Sequence, residues 1–570
     1  MIPLSERKEK WLVLAAWPYV HGVPHLGNLI GSILSADVAA RYLRMKGADV
    51  VFVSGSDMHG TPIEVEALKR GVSPKDLAES NHKTIQSLFE RWNISFDNYS
   101  TTESDVHKQF VHEFYDKVYK NGYVFEEVVQ LYYCPNDGLF LPDRFVTGTC
   151  PYCGYEKAYG DQCENCGRLL EPTLLLNPRC SICGGTPVLR TTKHWFFDLP
   201  KLQSALEEYI KGNENLPSNA KNMSLQILKD GLRPRALTRD NKWGIPAPFP
   251  GAEDKTIYVW MEAVLGYISA TIEYFRRRGE PERWKDFWLD PSTRSVYFIG
   301  KDNIPFHTLI LPALLMASGE GYVLPWTVAS TEYLLFKGLK FSKSKRVGVW
   351  IDEALEVFPV DYWRFALIAL RPEARDTNFT WEEFQRVINN ELIDNIGNFI
   401  HRVLVLAYRR YDGKVPAPSS RRAERLTEEL RKRFVQVTLS MDAFRFKEAL
   451  SRILALSSAG NAFLNEEKPW ELDPKDASGI VFDLLQVVKA LAVMLYPMIP
   501  SSAERIWNLL GYNDNLANHL WIEALEPLPP GQDLLEPKPL FSKITDEDIK
   551  AAVQKIESIR ERISSQQLLQ

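Results

Sequence analysis

Residues 10–53, KWLVLAAWPYVHGVPHLGNLIGSILSADVAARYLRMKGADVVFV, decide how the chain is read. The apolar run at 10–20 suits a strand buried on both faces of a parallel sheet, not an alternating surface strand. His21-Gly-Val-Pro-His25-Leu-Gly27-Asn28 then opens a helix that continues to about Lys46. Leu29, Ile33, Ala36, Ala40 and Leu43 recur along it in steps of four and three, predicting one buried face. Gly47 ends the helix, and 49–53 (DVVFV) is the next strand. The unit is β-α-β. Its loop stands at the carboxyl end of a strand, where open α/β sheets bind ligands.

Further along, 295–299 (SVYFI) reads as a strand, followed by Gly300-Lys-Asp-Asn303 and a helix over about 304–318. An extended stretch at 327–335 precedes Lys340-Phe-Ser-Lys343-Ser344, and from about 381 helical periodicity takes over. A proline-rich linker at 525–539 leads to a charged helix over about 545–566. With 570 residues, several folded units and a large core are expected. The 45% apolar and 25% charged composition excludes wholesale disorder. A net charge of -5 means that any nucleic-acid contact must use local patches. Residues 1–10 are polar and mixed in charge, so no export signal is read there. The apolar tract 481–500 is interrupted by Asp483, Gln486 and Lys489, which predicts a core helix and no membrane span. A soluble, cytoplasmic protein is expected.

Seven cysteines, at 134, 150, 153, 163, 166, 180 and 183, occupy one short stretch, and six of them form Cys-x-x-Cys pairs. Gly154 and Gly167 follow two of the pairs and allow the tight turn that points amides at thiolate sulfur. Disulfides do not suit a chain without an export signal, and three successive pairs are not redox usage. Cys150, Cys153, Cys163 and Cys166 are therefore expected to bind a structural Zn2+. Cys134, Asp137, Cys180 and Cys183 form a candidate second site, with Asp137 where a fourth cysteine would complete the set.

The loops narrow the chemistry. Neither Gly-x-Gly-x-x-Gly nor a P-loop is present. What remains is His21 and His25 beside Gly22 and Gly27 at a helix N-terminus, where imidazole N–H groups and the helix end favour phosphate. Lys340, Lys343, Lys345 and Arg346 around Ser342 and Ser344 read by default as a solvated basic loop. In a nucleotide site the same lysines would neutralise departing pyrophosphate.

Together, His25-Leu-Gly-Asn28 and Lys340-Phe-Ser-Lys-Ser344 resemble the two signatures of class I aminoacyl-tRNA synthetases. The methionyl members are the nearest in wording, through Ala16-Trp-Pro-Tyr19, Gly55-Ser-Asp57-Met-His59-Gly-Thr-Pro62, Arg239-Asp240, Tyr258-Val-Trp260-Met-Glu-Ala263 and Phe298-Ile-Gly-Lys301-Asp302-Asn-Ile-Pro-Phe-His307. The wording is closer to the archaeal and eukaryotic branch. Departures are Asn28 for a histidine, Phe341 for a methionine, and Asp137 for a cysteine.

The resemblance implies an α/β fold: a split Rossmann-like catalytic domain (1–120 and 231–325) around a zinc-knuckle insertion (121–230). A signature-loop and stem-contact region (326–380), an all-α anticodon-binding bundle (381–525), and a linker with C-terminal helix (526–570) follow. It implies ATP with Mg2+ as a substrate, bound near His25, Asn28, Lys301, Asp302, Ser342, Lys343 and Ser344. The groups acting on its phosphates would be His21, His25, Asn28, Lys340 and Lys343. L-Methionine would lie among Ala16, Trp17, Tyr19, Asp57, Trp260, Ala263, Tyr267 and His307, with Asp57 on the ammonium and aromatic edges on the sulfur. From spacing alone Trp260 and Tyr267, seven apart, read as core on one helical face. The partner would be tRNA(Met), its anticodon met by Asn398, Arg402 and Trp470. On sequence alone Trp470 reads equally as a cap over the bundle end. The basic run at 421–433 also carries three acids and reads as a solvated face.

Leucine, isoleucine and valine enzymes need an editing insertion larger than the zinc-bearing segment. A cysteine enzyme would use thiolates in its pocket, a small nucleotidylyltransferase needs no large helical domain, and a non-catalytic RNA-binding relative need not keep His25, Asp57 and Lys343 together. A monomer is expected, with a separate tRNA-binding protein as the candidate for any further tRNA contact.

Overall fold

The structure is a computed structural model that describes residues 8–141, 145–160, 163, 165–166, 170, 172–342 and 347–562, and the backbone of 563–569. At its centre is a five-stranded parallel sheet: β1 (Lys10–Ala15), β2 (Asp49–Ser56), β3 (Asn98–Thr101), β4 (Arg294–Gly300) and β5 (Thr327–Thr331), in the order β5-β4-β1-β2-β3. In the middle, Trp11 pairs with Val50 on one side and Arg294 on the other. The pleat explains the unbroken apolar run. Trp11, Val13 and Ala15 enter one core, and Leu12 and Leu14 enter a second core on the opposite face.

The first core is shared with the C-terminal half. Helix α1 (Leu34–Met45) follows a short turn, Leu26–Asn28, and a π-helical turn, Leu29–Ile33. It was expected to bury one face, yet Ser35, Asp37 and Arg41 are buried as well. The reason is a second layer: α1 is roofed by the helical domain, with Arg41 donating to the Tyr496 hydroxyl and Tyr42 donating to Asp442. Asp37 is the anchor. One carboxylate oxygen accepts from Arg41 Nε (3.0 Å) and Arg364 Nη2 (2.6 Å), and the other accepts from the Ser95 amide and hydroxyl. Arg364, in the helix Val360–Ala369, also donates to the carbonyls of Trp92, Pro497 and Met498, joining the sheet domain to the bundle.

Two boundaries differ from the expected segments. Strand β5 belongs to the parallel sheet, so the catalytic domain continues past 325. Within the insertion, the helices Gln203–Gly212 and Ser218–Asp230 bury Leu206, Ile210 and Leu228 in the catalytic core. What projects is a long antiparallel pair, Val124–Cys134 against Val188–Phe197, bearing the cysteine module and its own small core.

The bundle includes α2 (Asn398–Arg410), α3 (Glu424–Asp442), α4 (Phe446–Glu467) and α5 (Pro474–Leu495). Helix α5 is long and apolar enough to cross a membrane, but 94% of its apolar window is buried inside the protein. Each polar interruption is satisfied: Asp483 by Arg422, Gln486 by the Ala524 carbonyl, and Lys489 by the Glu526 carbonyl. In the basic run, Arg421, Arg422, Arg425 and Arg433 are all ion-paired. After the linker, α6 (Asp546–Leu569) returns to the segment 348–353, where Arg560 grips Glu353 through two bonds, donates to the Gly348 carbonyl and covers the Trp350 ring.

Burial alone would raise the Asp37 acid, but Arg41, Arg364 and Ser95 outweigh it and hold it at about 2. Its stabilising share is therefore complete above the ordinary carboxylate range and is lost as pH falls through that value. Asp37→Asn should lower unfolding free energy by ~3 kcal/mol, the typical result of breaking a buried ion pair. Denaturant titration at pH 7 checks the size. The gap between variant and wild type should shrink as the pH approaches 2.

Candidate active site

Helix α1 packs on one face of the sheet and the helix Leu311–Ser318 on the other. The connections after β1 and β4 thus part to opposite sides, leaving a crevice at the carboxyl ends of these neighbouring strands. A cavity of about 550 Å³ opens there, lined by both signature loops, including His21, His25, Asn28, Lys340 and Phe341. A larger cleft of about 960 Å³ runs along the β5 edge beside Asp442–Arg445 and contains none of the residues singled out in the sequence.

His25 caps its helix reciprocally with Asn28. Its Nδ1 accepts from the Asn28 amide (3.2 Å), and its own amide donates to Asn28 Oδ1 (3.2 Å). An accepting Nδ1 leaves Nε2 to carry the proton of the neutral ring. Burial holds the ring neutral by lowering its pKa to about 4. The donor that fixes this tautomer is the backbone amide of residue 28; the Asn28 side chain closes the cap from the other direction through Oδ1, and its Nδ2 remains a donor. The Phe341 ring stacks on His25 at 4.5 Å. That stack needs Gly348, whose φ is 133° and whose Cβ would collide with the Phe341 ring. Backbone bonds complete the join: Leu26 donates to Val349, Ile351 to Pro24, and Ser342 and Val347 exchange a pair. The first signature is thus stacked on Phe341 of the second and hydrogen-bonded to the segment that follows it. Lys343 and Ser344 lie outside the described residues.

Ala16, Trp17, Tyr19 and Trp260 line the same cavity, while Asp57, Ala263, Tyr267 and His307 are not among its lining residues. Trp260 and Tyr267 do not share a helix, because Val259–Ala263 and Gly266–Arg277 are separate segments. Trp260 is 41% exposed and stacks on Phe306 at 4.9 Å. Tyr267 is buried and donates to His307 Nε2 (2.8 Å), whose Nδ1–H reaches the Asn303 carbonyl. Burial keeps His307 neutral, with a pKa of about 4.

Beneath Tyr19 is a buried charge cluster whose geometry the sequence could not supply. His59 Nδ1 meets Glu262 (2.7 Å) and Nε2 meets Glu103 (2.6 Å). Burial opposes charge on this imidazole, but Glu262 and Glu103 prevail and raise its pKa to about 10. Asp57 is raised well above its ordinary value by burial and by Glu262. Asp57 Oδ1, Glu262 Oε2 and the Tyr19 hydroxyl have no hydrogen-bond partner, so this pocket has unfilled capacity for a cationic donor.

Lys301 departs from expectation. It does not line the cavity: its ammonium is held by Glu332 (2.7 Å) and Asp376 (3.1 Å). Asp302 lines the cavity and accepts from the Tyr333 hydroxyl. At the distant bundle end, Asn398 and Trp470 are exposed, Arg402 sits 5.6 Å from the Trp470 ring, and Asn465 accepts from Arg402 (2.8 Å).

The cysteines fall into the two expected sets. Cys150, Cys153, Cys163 and Cys166 form one, and Cys134, Asp137, Cys180 and Cys183 the other, with ligand atoms in each set within 4.8 Å of one another. Four soft donors, or three with one carboxylate, fit tetrahedral Zn2+.

A family model described as tRNA synthetases class I (M) matches residues 11–404, and one described as the anticodon binding domain of methionyl tRNA ligase matches 415–561. The chain belongs to the methionyl class I tRNA synthetases. Among its relatives, the methionine–tRNA ligase of Thermofilum pendens is 72% identical, over 98% of this chain and 100% of the relative. That of Caldivirga maquilingensis is 55% identical, over 97% of this chain and 94% of the relative. The methionyl-tRNA synthetase of Mycobacterium tuberculosis, solved with methionyl-adenylate, shares the fold of this synthetase at a TM-score of 0.77 and 24% identity, over 94% of this chain and 100% of that one.

The tautomer of His25 is directly observable. In ¹⁵N-histidine spectra of this synthetase, His25 should show the neutral, Nε2-protonated form at pH 7 and titrate near pH 4. Asn28→Ala removes only the Oδ1 half of the cap, and because the backbone amide still donates to Nδ1 the Nε2-protonated form should persist.

Proposed function

We propose that this chain ligates L-methionine to tRNA(Met) through methionyl-adenylate, using ATP with Mg2+, and so supplies translation initiation and elongation. The observation that carries the reading is the meeting of the two signature loops in one cavity: a neutral His25 whose Nε2 carries the proton, and Lys340 on the facing loop. Identity of 72% to a methionine–tRNA ligase supports the choice of substrate.

A carboxylate oxygen of methionine attacks the α-phosphorus of ATP. The bond to the α–β bridging oxygen breaks, and its electron pair leaves with pyrophosphate. The attacking group is already ionised at neutral pH, so no general base is needed. His25 Nε2–H, His21 and Asn28 Nδ2 donate to phosphate oxygens, while Lys340 and Lys343 offset charge on the departing pyrophosphate. Ser342, Ser344 and Asp302 hold the rest of the nucleotide, and Lys301 orders the rim through Glu332 and Asp376. Asp57 receives the substrate ammonium beside the unpartnered Glu262 oxygen. The thioether lies against Ala16, Trp17, Tyr19, Trp260 and Ala263, backed by Tyr267 and His307. A ribose hydroxyl at the tRNA 3′ end then attacks the adenylate carbonyl. The ester forms, AMP leaves, and the hydroxyl proton departs with its phosphate. Asn398, Arg402 and Trp470 stack on and hydrogen-bond unpaired anticodon bases. The protein acts as a cytoplasmic monomer, and a separate tRNA-binding protein would add any further tRNA contact.

Amino-acid-dependent ATP–pyrophosphate exchange tests this reading: methionine should support it and leucine or valine should not. Trp470→Ala should leave exchange intact and slow tRNA charging at least about tenfold, the effect of losing one stacked base. Equal loss of both activities would refute the separation of the sites.

Two zinc ions are assigned to the cysteine sets, both structural, since neither set leaves an open position. Elemental analysis should find two metals per chain. Asp137→Ala should lose only the Cys134, Cys180 and Cys183 site, and chelation should lower the melting temperature in proportion to metal removed.

A further inference from the structure

Tyr333, two residues beyond β5, stands between the Gly300-Lys-Asp-Asn303 segment and the second signature loop. Two ammonium groups lie over its ring, Lys301 at 4.0 Å from the centroid and Lys340 at 4.2 Å. Its hydroxyl donates to Asp302, and its amide donates to Asp376 Oδ1 (2.9 Å), the oxygen that also pairs with Lys301. The ring is thus fixed in tilt by one carboxylate and in height by another. Burial and Asp302 keep the phenol protonated, so the face offered to the lysines is that of a neutral ring. Tyr333 and Lys340 both line the cavity.

From this geometry we infer that Tyr333 is a positioning residue for the ligation reaction, a π platform that holds the Lys340 ammonium against the cavity wall before nucleotide arrives. The inference rests on the ligase reading. A lysine on an exposed loop samples many rotamers, and each must be abandoned before its charge can serve a phosphate. A ring face restricts that search without consuming a hydrogen bond, because cation–π attraction leaves the ammonium protons free for phosphate oxygens. The bonds to Asp302 and Asp376 keep the ring from tilting away.

The test is methionine-dependent ATP–pyrophosphate exchange by the full-length protein, in a double-mutant cycle. Tyr333→Leu should lower kcat about fivefold, the factor carried by one exposed cation–π contact, with the KM for methionine unchanged. Tyr333→Phe, which keeps the face and loses only the hydroxyl, should stay within about twofold of wild type. In a Lys340→Ala background, Tyr333→Leu should cost nothing more. The inference is overturned by wild-type kcat in Tyr333→Leu, by Phe behaving like Leu, or by the same fivefold loss without Lys340, which would mean that the ring touches a substrate itself. Methionine binding followed by tryptophan fluorescence confirms that each variant is folded. Exchange by the wild-type chain tests the ligase reading separately from these ratios.

Discussion

The architecture depends on Asp37 and the two guanidinium groups that meet it. A helix following the first strand of an open sheet would ordinarily face solvent on its outer side. Here that side carries a carboxylate that no water reaches; Arg41 on the same helix supplies one cation, and Arg364 brings a second together with the carbonyls of Pro497 and Met498. Removing either partner would strand a charge in the interior. The helical bundle is therefore not a tethered accessory. It shares the first core with the sheet, and the orientation of the distant Trp470 surface is set by the same packing that positions the His21–Asn28 loop.

The site follows from this frame. Because β1 lies between β2 and β4, its loop opens into the only kind of crevice a parallel sheet offers at a change of crossing direction. His25 spends Nδ1 on its own helix, which leaves a single donor for a ligand. Phe341 covers the imidazole, and Gly348 gives that ring its space. Under the floor, His59 carries positive charge between two acids while Asp57 and Glu262 keep unfilled oxygens. Lys108 offsets Glu103 from the outside, and the unpartnered oxygens of Asp57 and Glu262 leave room for one more donor.

Much of this was legible in the sequence because the deciding features are local. The apolar run at 10–20, the glycine stop at 47 and the cysteine pairs each act within a few residues, and the motif wording ties the catalytic loops to a known family. What stayed hidden depends on contacts between distant segments. No pattern marks Glu262 as the partner of His59, or Arg364 as the partner of Asp37. The seven-residue spacing of Trp260 and Tyr267 looked like a helical face, but the helix breaks between them. Lys301 was read as a nucleotide ligand from its motif, and only the fold shows Glu332 and Asp376 reaching its ammonium first. Tyr333 gave no signal, since an isolated tyrosine near a strand end is unremarkable until two lysines converge on it.

The strand order has a further consequence for how the molecule is made. On the ribosome β1 is finished early, yet its inner neighbour β4 does not exist until Arg294 and the residues after it have been translated. At ~5–20 residues per second that interval is on the order of tens of seconds, during which Trp11 and its apolar neighbours have a β2 edge but no β4 edge. The nascent amino-terminal half thus emerges with an open, sticky flank, and chaperone dependence should concentrate in that window.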